Sequence, residues 1–249
     1  MLPGLIFVGS CFTQAVQNSG NNSSFRETRS SANTSKGSGS SNSLSEPFSK
    51  EKKMSEETVK QVTMRATAQN TEAALIVSYE VENLTDQELY LWDGMVGFEG
   101  TNKVVDKDSA YVFFEEPKTL RILRADLPLP KLRSVGKKQI LFARLLGPKA
   151  KLTGKISLKH PVREYSPYYE PMTEEEQDNK RCSQIRLLVG WTAPKAGMRI
   201  EERTLGGDKV YDIRGAWDGP YQEILEQFIP VQVDLLTYTG VFERQMPLR

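Results

Sequence analysis

An all-β protein, an antiparallel β-sandwich with two long loop insertions behind a disordered N-terminal tether, is what the 249-residue sequence predicts. Three observations carry that expectation. From residue 58 onward apolar residues recur in short runs with a period of two. These runs are separated by Gly, Pro, Asn and Asp, the residues of tight turns. Helical periodicity is almost absent.

The chain divides into three parts. Residues 1–16 carry no charge, and their apolar run ends at Cys11. Residues 17–54 form the tether. The 33 residues of 17–49 include 12 Ser, 5 Asn and 3 Gly, with Phe25, Leu44 and Phe48 as the only large apolar side chains. Such a segment buries too little apolar surface to offset about 1–2 kcal/mol of backbone entropy per residue. The sandwich is assigned to residues 55–249.

Within that region the alternation over 58–68 places Val62, Met64, Ala66 and Ala68 on one face with Lys60. This face carries more apolar bulk than Val59, Gln61, Thr63, Arg65 and Thr67, so it is the expected buried side. Residues 74–81 (Ala-Leu-Ile-Val-Ser-Tyr-Glu-Val) are rich in β-branched and aromatic side chains. Asn83-Leu84-Thr85-Asp86 supplies a turn before Leu89-Tyr90-Leu91-Trp92, which completes a meander. Further strands are expected at 96–100, 110–114, 120–124, 139–146, 152–158, 185–191, 209–213 and 231–242. A helix of about two turns is expected at 221–228, capped by Asp218 and opened by Pro220. Two long connections, 159–181 and 193–230, flank the strand at 185–191. Connections of this length in a compact domain are functional or disordered.

Charge and composition remove several function classes. Lys and Arg number 33 against 32 Asp and Glu, a net charge of +1, which argues against nucleic acid as a partner. Residues 1–54 hold 6 basic and 3 acidic side chains, so residues 55–249, with 27 and 29, are weakly acidic. The basic excess of the tether includes Lys50, Lys52 and Lys53, which read as a solvated linker or as a patch for anionic lipid. One His and two Cys exclude a Cys/His zinc cluster, a dense disulfide framework and any mechanism that needs two histidines. No cofactor is expected. The sequence has no Gly-rich phosphate loop, Gly-x-Ser-x-Gly elbow or His-Glu-x-x-His motif.

The remaining reactive side chains favour structural roles. Cys182 follows two cations that lower a thiol pKa, but no His is near it in sequence, so it reads as a half-buried structural cysteine. His160 precedes Pro161 at a strand end and reads as a surface or hydrogen-bonded histidine. Glu174, Glu175, Glu176 and Asp178 lack the alternation and central Gly of a calcium loop and read as a solvated acidic run, so no metal site is expected. Glu115 and Glu116 are adjacent in a strand and face opposite ways, a poor acid/base pair. Tyr165, Tyr168, Tyr169, Trp217 and Tyr221 fall in or beside the two long loops. They form the candidate binding surface, since exposed Tyr and Trp join large contact area to a polar tip; the alternative is that they pin the loops to the sandwich. Trp92 and Trp191 lie in strands and belong to the core.

Val8-Gly9-Ser10-Cys11, an aliphatic and two small residues before a cysteine and a polar stretch, resembles the lipobox of bacterial lipoproteins. The resemblance implies that Cys11 is the lipid-attachment residue and that a membrane, reached through that anchor, is a partner. It implies a periplasmic or surface address in a bacterial envelope, whereas an unprocessed Cys11 implies the cytoplasm. No Lys or Arg precedes the apolar run, and ten residues fall short of an ordinary signal peptide, so either the start lies upstream of Met1 or the match is accidental and Cys11 belongs to an inert tail. With Cys11 acylated, Cys182 has no internal disulfide partner. Residues 74–92 resemble the early strands of Ig-like domains in exported bacterial proteins, including the proteinase-inhibitor-like type, a likeness that carries no function by itself. Together these point to an envelope-tethered, non-enzymatic binding or assembly module. A hydrolase acting on an envelope polymer and a purely structural lipoprotein are the alternatives.

Overall fold

The computed structural model describes residues 61–136, 138–139, 141–215, 222–240, 242–244 and 246. The lipobox-like segment with Cys11, the tether, Trp217, Asp218, Pro220 and Tyr221 lie outside them. Thirteen strands make up the described chain: β1 (Val62–Asn70), β2 (Ala74–Asn83), β3 (Leu89–Glu99), β4 (Asn102–Asp106), β5 (Tyr111–Glu115), β6 (Thr119–Arg124), β7 (Phe142–Leu146), β8 (Lys151–Lys159), β9 (Val162–Arg163), β10 (Gln177–Thr192), β11 (Arg199–Leu205), β12 (Asp208–Arg214) and β13 (Glu223–Tyr238). Among the described residues the only helical element is one 3-10 turn at Glu174–Glu176.

The strands form two packed sheets, so the all-β sandwich is the observed fold. The smaller sheet has the order β1-β2-β8 and is antiparallel throughout. The larger has the order β11-β12-β7-β3-β10-β13-β9, with β4 on β3, and β5 on β6, which itself pairs with β10. Pairing is antiparallel except between β6 and β10 and between β9 and β13, which run parallel.

Between the sheets lies the main core. Leu75, Val77, Tyr79 and Val81 of β2 and Ile156 of β8 meet Leu89, Leu91, Ile122, Leu187, Val189 and Leu235 of the large sheet. The expected buried face of β1 is the observed one, since Val62, Met64, Ala66 and Ala68 all pack on this core. A second core covers the opposite face of the large sheet. Trp92, Phe113, Leu123 and Leu188 are enclosed there by Leu127, Leu141, Tyr168 and Phe242, which belong to connections rather than strands. A strand covered on both faces has no polar side. β6 is therefore buried at every position, as is the stretch 187–192 of β10.

Several expectations need correction. The helix expected at 221–228 is the start of β13, paired with β10 from Glu223 against Trp191 to Phe228 against Arg186. An isolated helix of two turns is marginal in water, whereas as a strand this segment gains a backbone hydrogen-bond ladder with β10. The loop expected at 193–230 is mostly ordered into β11, β12 and the first half of β13; Gly206 and Gly207, with φ of 57° and 87°, make the β11–β12 turn that a β-carbon would strain. The gap between the strands expected at 89–92 and 96–100 is a bulge within β3, where Leu91 pairs with Arg144 but Gly94 with Phe142. A β-carbon on Gly94 would stand 2.8 Å from the Phe142 carbonyl oxygen, so only glycine allows that approach.

Both flanks of the sandwich are closed by side chains. On one, Asn70 donates to the Gln232 carbonyl at 2.8 Å and Gln227 to the Ala66 carbonyl at 3.0 Å, fastening β1 to β13. On the other, Arg144 donates to the Thr153 carbonyl and Arg124 to the Lys155 carbonyl, each at 3.0 Å. The outer edge of β8 is thereby occupied, which blunts it against pairing with another chain.

Candidate functional site

The candidate surface centres on Tyr165. From Val162 to Tyr168 the chain keeps a period of two: Val162, Glu164, Ser166 and Tyr168 are buried, while Arg163 and Tyr165 face outward. β9 pairs with β13, and Tyr165 then exchanges two backbone hydrogen bonds with Val112, of 2.8 and 3.0 Å. This fixes the Tyr165 ring at the surface, 48% exposed, with its centroid 6.3 Å from that of Tyr111.

Tyr168 does not join it. It is 6% exposed and fills the second core, because the three-residue spacing from Tyr165 puts it on the opposite side of an extended chain. Tyr169 is half-buried, its ring 4.6 Å from that of Phe242 and 5.4 Å from the Arg133 guanidinium, while its hydroxyl accepts from the Glu243 N–H at 2.9 Å. Both pin a connection onto the large sheet. Among the described members of the candidate surface, Tyr165 is the exposed ring and Tyr168 and Tyr169 are not. The alternation through 162–168 is present in the sequence, but polar Glu164 and Ser166 at inward positions disguise it.

Beside Tyr165 runs an open groove of about 610 Å³. Ala110, Val112 and Val162 give it an apolar floor, Asp106 and Asp108 are its acidic side chains, Lys159 and Arg163 its cationic ones, and His160 adds an imidazole. Asp106 ties its own loop: one carboxylate oxygen accepts from the N–H groups of Asp108 and Ser109, each at 3.0 Å, and the other takes the Ser109 hydroxyl. Burial pushes this carboxyl up, but the Ser109 and Asp108 hydrogen bonds and the charge of Arg124 outweigh it, so it sits below the usual value. His160 is held by Asn70 at 2.8 Å.

Ser109 and His160 are thus engaged with other partners, Asp106 and Asn70, and not with each other. Cys182 is completely buried, and burial, with the charges of Asp234 and Glu164, pushes its thiol up to about 11, which leaves it a thiol at neutral pH. Several carboxylates are gripped by cations: the buried Asp93 by Arg144 and Glu164 by Arg244, and the partly exposed Glu115 by Arg186. In the acidic run, Glu176 caps the 3-10 turn through Thr173 and Asp178 pairs with Lys180. Among the described residues no three His, Cys, Asp or Glu side chains converge as metal ligands.

One further carboxyl titrates unusually. Asp126 is 2% exposed and is pushed from 3.8 up to about 6 by burial, against the opposing pull of Lys138, with which it forms an ion pair. Gln222 brackets its backbone, accepting from the Asp126 N–H at 3.0 Å and donating to its carbonyl at 2.8 Å. A carboxyl whose pKa is raised in the folded state keeps a proton that the unfolded chain has lost. Its stabilising contribution is therefore complete below the unfolded value of 3.8 and disappears as the pH rises through about 6. The difference between those two values corresponds to up to about 3 kcal/mol. In denaturant titrations at pH 4 and pH 7, the stability difference between wild type and Asp126→Asn is expected to move against the wild type by an amount approaching that figure. A difference constant across the window would refute the assignment.

Comparison of the chain with protein families, with curated proteins and with solved structures returns no match.

Proposed function

We propose that the chain is a non-enzymatic binding or assembly module held at a bacterial envelope, with Cys11 as its lipid-attachment residue and residues 17–54 as its tether. The partner is a protein or an envelope component that docks in the groove beside Tyr165. The observation that carries the binding reading is the groove itself. It pairs an exposed tyrosine and an apolar floor with an Asp106–Ser109 pair tied to one another and a His160 ring held by Asn70. An aromatic ring with a polar rim suits recognition, because it buries large area with little loss of side-chain entropy. The envelope address rests on Val8-Gly9-Ser10-Cys11. A fully buried Cys182 and the pairing of Asp93, Glu164 and Glu115 with arginines weigh against a hydrolase.

The test places a photocrosslinking amino acid at position 165, and in a control chain at Phe98, which is 64% exposed on the β3–β4 hairpin. Both are expressed in a bacterial host with Cys11 and with Cys11→Ser. A discrete adduct from position 165 alone, in membrane fractions, lost together with a diacylglyceryl-sized mass on Cys11→Ser, is the expected result. Equal crosslinking from both positions would overturn the groove. Unmodified soluble protein carrying Cys11 would overturn the envelope address.

A further inference from the structure

The polar cluster between the two sheets holds more positive than negative charge. Arg144 grips the Asp93 carboxylate through Nε, at 2.8 Å, and Nη2. The Tyr79 hydroxyl donates to the same carboxylate at 3.0 Å and accepts from Arg124 Nη1 at 3.0 Å. Burial first, and the Asp93 charge second, hold this phenol well above its usual pKa, so it remains the donor. Two guanidiniums therefore flank one carboxylate, Arg144 directly and Arg124 through the Tyr79 hydroxyl.

Arg124 makes no direct ion pair among the described residues, although its charge also acts on Asp106. It is 2% exposed, and its other donors go to the carbonyls of Ser109, Lys107 and Lys155. Carbonyl dipoles offset part of a buried positive charge but do not neutralise it. Arg144, by contrast, keeps about a third of its side chain exposed, and what it meets there is a cavity of about 450 Å³. Four cationic and three anionic side chains line that cavity, and toward solvent Lys107 pairs with Asp208 at 2.6 Å.

We propose that this cavity is a binding site for a compact oxyanion, the carboxylate or phosphate group of a small molecule. Arg144 is the contacting cation, and Arg124 supplies fixed positive charge behind it. The volume lies in the range of small-ligand sites, roughly 300–1,000 Å³. A guanidinium already oriented by a bidentate carboxylate loses little entropy on engaging an oxyanion. The net charge of the lining favours an anion over a cation, and the two lie in a partly water-excluded space where the attraction is screened less. This site is separate from the Tyr165 groove and does not depend on that reading.

The test uses the full chain, titrated with acetate and with inorganic phosphate at ionic strength held constant by sodium chloride, and read by calorimetry and thermal unfolding. Saturable binding of at least one oxyanion, beyond the chloride response, is expected; acetate alone identifies a carboxylate site and phosphate alone a phosphate site. Lys107→Gln is expected to weaken binding by roughly threefold to tenfold, and Asp208→Asn, which releases Lys107, to tighten it by a similar factor. Both residues have substantial exposure, so unfolding midpoints without added anion report whether either variant has lost its fold. A response that does not saturate, or that equals chloride, overturns the proposal. So does an affinity that neither substitution moves.

Discussion

Gly154→Ala is expected to cost about 3–4 kcal/mol, as a core overpacking that also breaks buried hydrogen bonds. Gly154 lies opposite Tyr79 in the β2–β8 ladder, and the Tyr79 ring occupies the space where the missing side chain would be. A β-carbon there would stand 2.1 Å from Tyr79 Cζ and 2.3 Å from its hydroxyl oxygen. The ring has no free direction of retreat, since it is 3% exposed and its hydroxyl links Asp93 to Arg124. Moving it leaves a carboxylate oxygen and a guanidinium donor short of a partner inside the protein.

A double-mutant cycle separates this from a general loss of strand stability. In a Tyr79→Ala background the clash is gone, and Gly154→Ala is expected to be neutral or to stabilise by up to about 1 kcal/mol, because it removes backbone freedom from the unfolded chain. Equal costs in both backgrounds, measured by denaturant unfolding, would show that Tyr79 is not what Gly154 accommodates.

Glu164→Ala is expected to cost about 3–5 kcal/mol, the range for losing one partner of a buried ion pair. Its side chain is fully buried and makes four hydrogen bonds. One oxygen accepts from the Phe114 N–H at 2.6 Å and from Arg244 Nε at 2.8 Å; the other accepts from the Tyr238 N–H and Arg244 Nη2, each at 2.8 Å. A single carboxylate thus joins β5, the end of β13 and the C-terminal segment. Alanine strands two backbone donors and a guanidinium at once. Arg244→Ala leaves the two backbone bonds in place and is expected to cost less. Were Arg244→Ala the more damaging, the carboxylate's role would lie in the ion pair alone and not in the strand junction.

The legible and the hidden parts of this fold differ in a consistent way. β2 and β8 can be placed from sequence because each turns one face to the core and the other outward, which leaves a period of two in the residue types. β4, β9 and β11 cannot. β9 spans two residues, and β11 is an edge strand of mixed Arg, Glu and Thr whose pattern comes from solvent and cross-strand charge pairing, as of Arg203 with Asp212 and Glu202 with Lys209. The first half of β13 has Ile224-Leu225 flanked by glutamates, a spacing that suits a helix as well as a strand, and only β10 beside it decides between them.

The candidate site shows the same division. Tyr165 stands out because an aromatic residue in a long connection is an obvious contact, whereas Tyr168 groups with it for the same reason and is buried. Their separation depends on a second core over the far face of the large sheet, and nothing local in residues 165–169 announces that face. The Tyr79–Asp93–Arg124–Arg144 cluster is hidden because its members are spread over 66 positions and carry no motif.

The sequence by itself determined the all-β class, the alternating strands and their turns, and the core tryptophans, since each follows from local periodicity or from residue type. Tertiary structure alone decided which aromatics face solvent, that residues 223–228 are strand, and that two arginines and a tyrosine gather around one buried aspartate. Those outcomes depend on what lies across the sheet, and an extended chain gives no sign of how many of its faces will be covered.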